Sequence, residues 1–185
     1  MKKSILKLTT ILFLTISFSG CAKYYSTSLE EEQNFSVKHG TPVKVEMTQT
    51  DWSIVVNLPD KDIKKNISDA LFDNPVFIED EKAEKTLKVD ITHSNDGGGA
   101  EMANAVLTGA SLYLIPGVAD SEVSIDVSID DLSTNYKGEL IVAQGMGASA
   151  MIDKEKYTED TPLNLMKNLI KNAINKFTIT YLKEK

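Results

Sequence analysis

Residues 123–129 alternate strictly between apolar and polar side chains. The apolar set is Val123, Ile125, Val127 and Ile129, and the polar set is Ser124, Asp126 and Ser128. Successive side chains of a β-strand point to opposite faces, so this period of two predicts a strand with one buried and one solvated face. Strand-like patterns also occur at residues 43–48, 52–56, 76–78, 87–93 and 136–144. A turn at 131–135 would join the last two strands as a hairpin.

Two segments show the 3.6-residue period of amphipathic helices instead. One opens near Pro59 and ends before Asn74-Pro75, so we expect a helix that runs to about Asp73. The other begins at Pro162, with Thr161 as its cap, and extends to about Leu182. The apolar face of this second helix carries the core positions Leu169, Ile170 and Ile174.

The order of these elements predicts the fold class. Hairpin-linked strands with two helices are typical of an α+β domain. We expect an antiparallel or mixed sheet of about five to six strands, with two helices packed on one face. Residues 42–185 would form this single domain.

The N-terminal segment predicts where the protein is anchored. Residues 1–20 combine three Lys, an apolar run and a small-residue end, which is typical of a secretory signal peptide. The only Cys follows directly, and Phe18-Ser19-Gly20-Cys21 resembles the lipobox of bacterial lipoprotein precursors. The resemblance implies that Cys21 is lipidated and becomes the mature N-terminus, with Ala22 favouring the outer membrane. The alternative is a secretory signal followed by an incidental Cys.

Charge narrows the classes of partner. The chain has 20 basic residues, all Lys, against 27 acidic ones, and its formal charge is −7. Loss of residues 1–20 would remove Lys2, Lys3 and Lys7, so 17 Lys would face 27 acids and the charge would be −10. This balance argues against a nucleic-acid partner, which requires a basic surface. Residues 21–41 would form a lipidated N-terminus and flexible tether, from which the acidic domain stands off the membrane.

The chemistry-bearing residues do not assemble into a catalytic motif. One Cys and two His exclude a multi-Cys metal site, and neither a Gly-x-Ser-x-Gly elbow nor a phosphate-binding loop occurs. His93 closes a predicted strand, where a hydrogen bond is a commoner role than metal ligation. We therefore expect a protein that is not an enzyme and has no cofactor and no metal.

An uncharged run distinguishes residues 102–119. Between Glu101 and Asp120 there is no charged side chain, but Asn104, Gly109, Pro116 and Gly117 interrupt the run, which disfavours a membrane-spanning helix. The candidate interaction residues are Leu107, Leu112, Tyr113, Leu114, Ile115 and Pro116. Two interpretations remain open, a buried connection through the core and an exposed apolar lip that contacts a partner or a membrane.

The same run resembles a segment of small Gram-negative lipoproteins of uncharacterised activity. The matching residues are Leu107-Thr108-Gly109, Leu112-Tyr113-Leu114-Ile115-Pro116 and the strand from Glu122. The resemblance implies a periplasm-facing, membrane-anchored envelope protein that acts as a non-enzymatic interaction or assembly module, with an envelope protein as partner. The alternative function is binding of a lipid or another apolar ligand through residues 102–119.

Overall fold

The computed structural model describes residues 22–28, 30, 35–50, 58–94, 117–145 and 147–185. Its strands are β1 (Lys23–Thr27), β2 (Thr41–Thr50), β3 (Phe77–Glu79), β4 (Thr86–Ser94), β5 (Gly117–Ile129), β6 (Leu132–Gln144) and β7 (Tyr157–Glu159). Its α-helices are α1 (Asp60–Phe72) and α2 (Pro162–Lys183), and a short 3₁₀ helix covers Ala148–Met151.

The strands form one mixed sheet in the order β3-β2-β4-β5-β6-β1-β7. β2 is parallel to β3 and to β4, whereas the pairs from β4 to β7 are antiparallel. This arrangement confirms the predicted α+β class with a mixed sheet. The described sheet has seven strands, slightly above the prediction, because β1 and β7 were not anticipated. The predicted strand at 52–56 lies outside the described residues.

The main core lies between the sheet and both helices. Its members are the inward residues of the central strands, such as Val89, Ile125 and Leu140, and the apolar faces of α1 and α2. Phe77 of β3 stacks near Phe177 of α2, with ring centroids 5.8 Å apart. The period-two and period-3.6 patterns therefore meet on the same side of the sheet, as expected for two helices on one face.

A second, smaller cluster covers part of the opposite face. Tyr25, Ile141 and Ala143 pack there beneath Ala148 and Ile152 of the 3₁₀ segment. The turn before this segment is made by Gly145 and Gly147, whose φ angles of 91° and 81° favour glycine. The 3₁₀ helix thus shields apolar side chains of β1 and β6 from water.

The two helices run parallel to one another. Asn66 Nδ2 donates to the carbonyl of Leu163 over 3.2 Å, and Asn74 Nδ2, just after the end of α1, donates to Thr178 Oγ1 further along α2. α2 starts as predicted, because the Thr161 hydroxyl accepts from the Asn164 N–H. Both helices therefore begin at one end of the sheet and end at the other.

The β5–β6 hairpin is tighter than the sequence predicts. The predicted turn at 131–135 is wrong, because Ile129 pairs with Leu132 and only Asp130 and Asp131 form the turn. Asp130 has φ 53°, a left-handed conformation that Asp adopts more readily than most residues. Ser133, Thr134 and Asn135 look like loop residues in composition, but their backbone continues the ladder to β5.

The expected tether is also wrong for residues 23–27. These residues form β1, which is hydrogen-bonded between β6 and β7. Tyr25 is buried in the second cluster, and Glu139 N donates to Thr27 Oγ1. Sequence periodicity does not reveal this strand, because Tyr24 and Tyr25 are neighbours that pack against the main core and the smaller cluster respectively, and Ser26 is polar although it is buried.

Candidate functional site

The residues predicted to carry function lie mainly outside the described part of the chain. These are Cys21, Leu107, Leu112, Tyr113, Leu114, Ile115 and Pro116. The structure does describe the end of the uncharged run, where Gly117–Ala119 opens β5 and pairs with the end of β6. Val118 packs against the smaller cluster and Ala119 against the main core.

A groove of about 670 Å³ lies beside the end of α1. Its walls come from three places in the chain: residues 37–40, the second half of α1, and the segment from Asn74 to Glu79. Leu71 and Phe77 at its base belong to the core. The groove is therefore a continuation of the apolar interior to the surface.

Phe72 is the most exposed large apolar side chain at the groove. It is the last residue of α1, and 91% of it is accessible to water. The turn after it is fixed by Asn74, whose Nδ2 donates to Thr178 Oγ1 and whose Oδ1 accepts from the Val76 N–H. Because α2 holds this turn, Phe72 is presented on a fixed part of the domain.

Ile78 forms a second exposed apolar element, with 54% of its surface accessible. It lies on the face of β3 opposite to Phe77, since neighbouring strand residues alternate in direction. Ile78 packs so closely against residue 40 that only a glycine fits there, because a Cβ on Gly40 would lie 2.7 Å from Ile78 Cγ1 and 2.8 Å from the Pro75 carbonyl oxygen.

β3 is an edge of the described sheet. Thr41 N donates to Val76 O, and Asp80 N donates to Val43 O, so the even-numbered residues of this segment face β2. The backbone N–H and C=O groups of Phe77 and Glu79 consequently point away from β2. Such a row of backbone groups can accept an additional strand.

Carboxylates surround this edge. Glu79, Asp80, Glu81 and Glu84 occur within six residues, with Lys82 as the one base among them. Lys85 is paired with Asp130 at 2.6 Å, and this partner raises the pKa of Lys85. Within the described residues, Glu79, Glu81 and Glu84 have no ion pair. Lys38 in the groove wall adds one positive charge, but the acidic residues still outnumber the basic ones, so the edge is acidic overall.

A buried polar pair occupies the opposite end of the core. His93 is 4% exposed, and its Nε2 lies 3.4 Å from Gln49 Nε2. His93 Nδ1 and Gln49 Oε1 are buried without a hydrogen-bond partner. Burial lowers the pKa of His93. Gln49 Nε2 can only donate, so His93 Nε2 accepts and the proton lies on Nδ1; the pair then offers the Nδ1–H donor and the Gln49 Oε1 acceptor, which suits a small neutral group.

The described residues contain no cluster of three His, Cys, Asp or Glu side chains that could hold a metal ion. None of the described helices is both long and apolar enough to cross a membrane.

Comparison with known proteins identifies no relative by sequence. No protein-family model matches the chain, and no curated protein matches it. Among solved structures, the chain is similar to the PelC dodecamer from Paraburkholderia phytofirmans, with 8% identity and a TM-score of 0.35 over 85% of this chain and 97% of that one. A variant of that dodecamer in a second crystal form gives 9% identity and a TM-score of 0.32, covering 85% of this chain and 98% of that one. Likeness at this level bears on neither fold nor function.

The groove was not predicted from the sequence. Phe72 lies outside the apolar stripe of α1, which contains Ile63, Ile67, Ala70 and Leu71. The sequence feature that could have predicted its exposure is the position of a large aromatic residue outside the apolar stripe, just before the Asn-Pro that ends the helix. The exposure of Ile78 could not be predicted from the sequence, because a strand of three residues is too short for its buried and exposed faces to be distinguished by alternation.

Proposed function

We propose that the protein is a lipid-anchored, non-enzymatic interaction module of the cell envelope, and that it binds a partner protein at the Phe72 groove. The observation that carries the docking proposal is the exposure of Phe72 on a concave surface beside β3, an edge strand among the described residues. Burial of an exposed Phe side chain is worth roughly 1.5–3 kcal/mol. In the isolated domain Phe72 stays in water, and a bound partner that buries it would gain this free energy.

The anchor is supported by the sequence. Cys21 is the only Cys and follows Ser19-Gly20 at the end of an apolar run. An acylated Cys21 would place the domain at a membrane, and Ala22 favours the outer membrane facing the periplasm.

The partner that fits the groove best is an extended segment of another protein. It would pair with the outward backbone groups of Phe77 and Glu79, as in strand addition. Its alternate side chains would contact Phe72 on one face and Ile78 on the other. Lys or Arg in this segment would match the carboxylates of Glu79, Glu81 and Glu84.

Site-specific crosslinking tests the docking surface. A photoreactive benzoylphenylalanine replaces Phe72 in the protein expressed in its own cells, and the matched control replaces Met151, which is also exposed but belongs to the 3₁₀ helix. We expect one discrete protein adduct from position 72 and none from position 151. Equal adducts at both positions, or none at position 72, would contradict the proposal.

Two proline substitutions test the mode of binding. Glu79→Pro removes an outward N–H of β3 and leaves the ladder to β2 intact, since an edge strand tolerates Pro where its N–H faces solvent. Glu159→Pro removes an outward N–H of β7, the other edge of the described sheet, together with the carboxylate that pairs with Lys23. Strand addition predicts that Glu79→Pro abolishes the adduct from position 72 and that Glu159→Pro preserves it. Loss with both, or retention with both, argues against pairing at β3.

The volume of the groove favours a second candidate function, carriage of an apolar ligand. About 670 Å³ falls within the range of small-molecule sites. Native mass spectrometry of the purified protein would detect a bound lipid, and its displacement by Phe72→Trp would assign it to the groove. A ligand retained unchanged by that variant would belong elsewhere.

A further inference from the structure

The start of β1 limits how far the domain can stand from its anchor. β1 begins at Lys23, two residues after Cys21. Two residues of fully extended chain span at most roughly 7 Å. A tether of about 20 residues would have allowed the domain to move freely above a bilayer, but β1 is part of the sheet. The end of the sheet at Lys23 must therefore lie close to the acyl chains that Cys21 carries.

The elements at this end can be read from the pairing. Lys23 pairs with Ala143 near the end of β6, and Gly117 at the start of β5 pairs with Gln144. Asp160 N donates to the Tyr24 carbonyl over 3.2 Å, so the start of α2 lies at this end as well. We call these elements the Lys23 end, and the region of the groove the groove end.

Exposed apolar side chains divide between the two ends. At the Lys23 end, Met151 of the 3₁₀ helix is 65% exposed and Leu163 in the first turn of α2 is 38% exposed. At the groove end lie Phe72, Ile78 and Leu182. On α2, Thr178 bonds to Asn74 beside the groove and lies 15 residues after Leu163, which is roughly 22 Å of helix, so the two sets are separated along α2.

We infer that the protein rests its Lys23 end on the bilayer surface, with Met151 and Leu163 toward the lipid, and holds the Phe72 groove roughly 20 Å farther from the membrane. This orientation rests on the lipid attachment at Cys21, which is part of the proposed function. The Lys23 end thus contacts the lipid surface, and the groove stays accessible to a partner protein. The sequence predicted the reverse, an acidic domain that stands off the membrane.

Charge is consistent with contact through apolar groups. Lys23 is paired with Glu159 at 2.8 Å, and Asp160 accepts hydrogen bonds from Thr161 N and Asn164 Nδ2. Asp153, Lys154, Glu155 and Lys156 near the 3₁₀ helix sum to zero, but Asp120, opposite Ile141, is exposed as well, so with Asp160 this end carries a net negative charge. Attraction at this end must consequently come from apolar groups, and a higher fraction of anionic lipid should weaken the contact at low salt.

Single thiols test the orientation, because Cys21 is the only native Cys and the thioether consumes its thiol. The full-length protein, purified from its membranes, is reconstituted into phosphatidylethanolamine–phosphatidylglycerol vesicles that contain an acceptor-labelled lipid. Met151→Cys and Leu163→Cys report on the Lys23 end, and Phe72→Cys and Leu182→Cys on the groove end. With a donor fluorophore on each thiol, we expect severalfold higher energy transfer at 151 and 163 than at 72 and 182.

An insertion provides the matched control. A Gly-Ser linker of about ten residues between Ala22 and Lys23, with an r.m.s. span of roughly 17 Å, should lower transfer at 151 toward the value at 72 while the protein stays on the vesicles. Labelling of two thiols per chain would mean that Cys21 is free, and the anchor itself would then fail. One label per chain with equal transfer at both ends, or with no effect of the linker, would overturn the orientation and leave the anchor standing.

Discussion

A buried histidine makes stability depend on pH. Burial holds the pKa of His93 below its usual 6.5, whereas the unfolded chain would titrate near 6.5. Between these two pKa values the unfolded state binds more protons than the folded state. The contribution of His93 to stability is therefore complete above pH 6.5 and is lost as the pH falls through the folded pKa. We expect the melting temperature to fall between pH of about 7.5 and about 5.5, above the range in which most carboxylates titrate.

Two substitutions assign this effect to one side chain. His93→Gln keeps a neutral hydrogen-bonding group beside Gln49 and should flatten the dependence of melting temperature on pH. His39→Gln changes the other His, which is exposed, and should keep the wild-type slope. An unchanged slope in His93→Gln would show that another group causes the effect.

Two truncations to alanine distinguish core from surface on α2. Ile170 is fully buried in the main core, as the sequence predicted, and Ile170→Ala should cost about 2–5 kcal/mol in the free energy of unfolding. Leu163→Ala removes a similar volume from the partly exposed first turn and should cost much less. Urea denaturation of both variants measures the difference. A loss below about 1 kcal/mol for Ile170→Ala would place that side chain outside the core.

At the scale of elements, one glycine sets the distance between β6 and α2. A Cβ on Gly138 would lie 2.5 Å from Leu169 Cδ2 and 3.2 Å from Tyr136 Cε1, so no larger residue fits without displacement. Gly138→Ala should therefore destabilise the fold by about 1–3 kcal/mol through overpacking. In a Leu169→Ala background the same change should cost less, because the added methyl group fills part of the cavity. Additive losses in the double mutant would contradict a direct contact.

The elements differ in how far the sequence could predict them. α1, α2, β2, β4 and β5 were predictable, because each contains enough turns or alternations for its apolar face to be recognised. β1 and β7 were not predicted. β7 has only three residues, and β1 is held by a cluster that includes Ile141, more than a hundred positions along the chain. The parallel pairing of β2 with β4 likewise depends on α1 crossing between them, which no local pattern specifies.

At the scale of the whole molecule, the anchor remains a prediction from the sequence. Metabolic labelling with a radioactive fatty acid should mark the wild-type protein and leave Cys21→Ala unlabelled, because Cys21 is the only site where the lipobox pattern permits acylation. Ser19→Ala retains a small residue before the cleavage position and should be labelled like the wild type. Equal labelling of wild type and Cys21→Ala would end the lipoprotein interpretation.

The two candidate sites differ in how far the sequence could predict them. The uncharged run at 102–119 stands out by composition, and its interaction role remains a prediction. The Phe72 groove combines residues 37–40, α1 and β3, which become neighbours only when α1 crosses the sheet and α2 holds Asn74. Exposure of a single aromatic residue depends on this assembly, so composition does not reveal it.

The sequence by itself determined which residues face the core along each long strand and helix, where α2 begins, and where a lipid could be attached. These properties are local, because they follow from the period of the side chains, the cap at Thr161 and the position of one Cys. Only the tertiary structure decided that residues 23–27 join the sheet, that Phe72 and Ile78 border one groove, and that this groove lies at the end opposite Lys23. These properties depend on contacts between residues far apart in the chain, since backbone pairing and burial are satisfied only when distant segments meet.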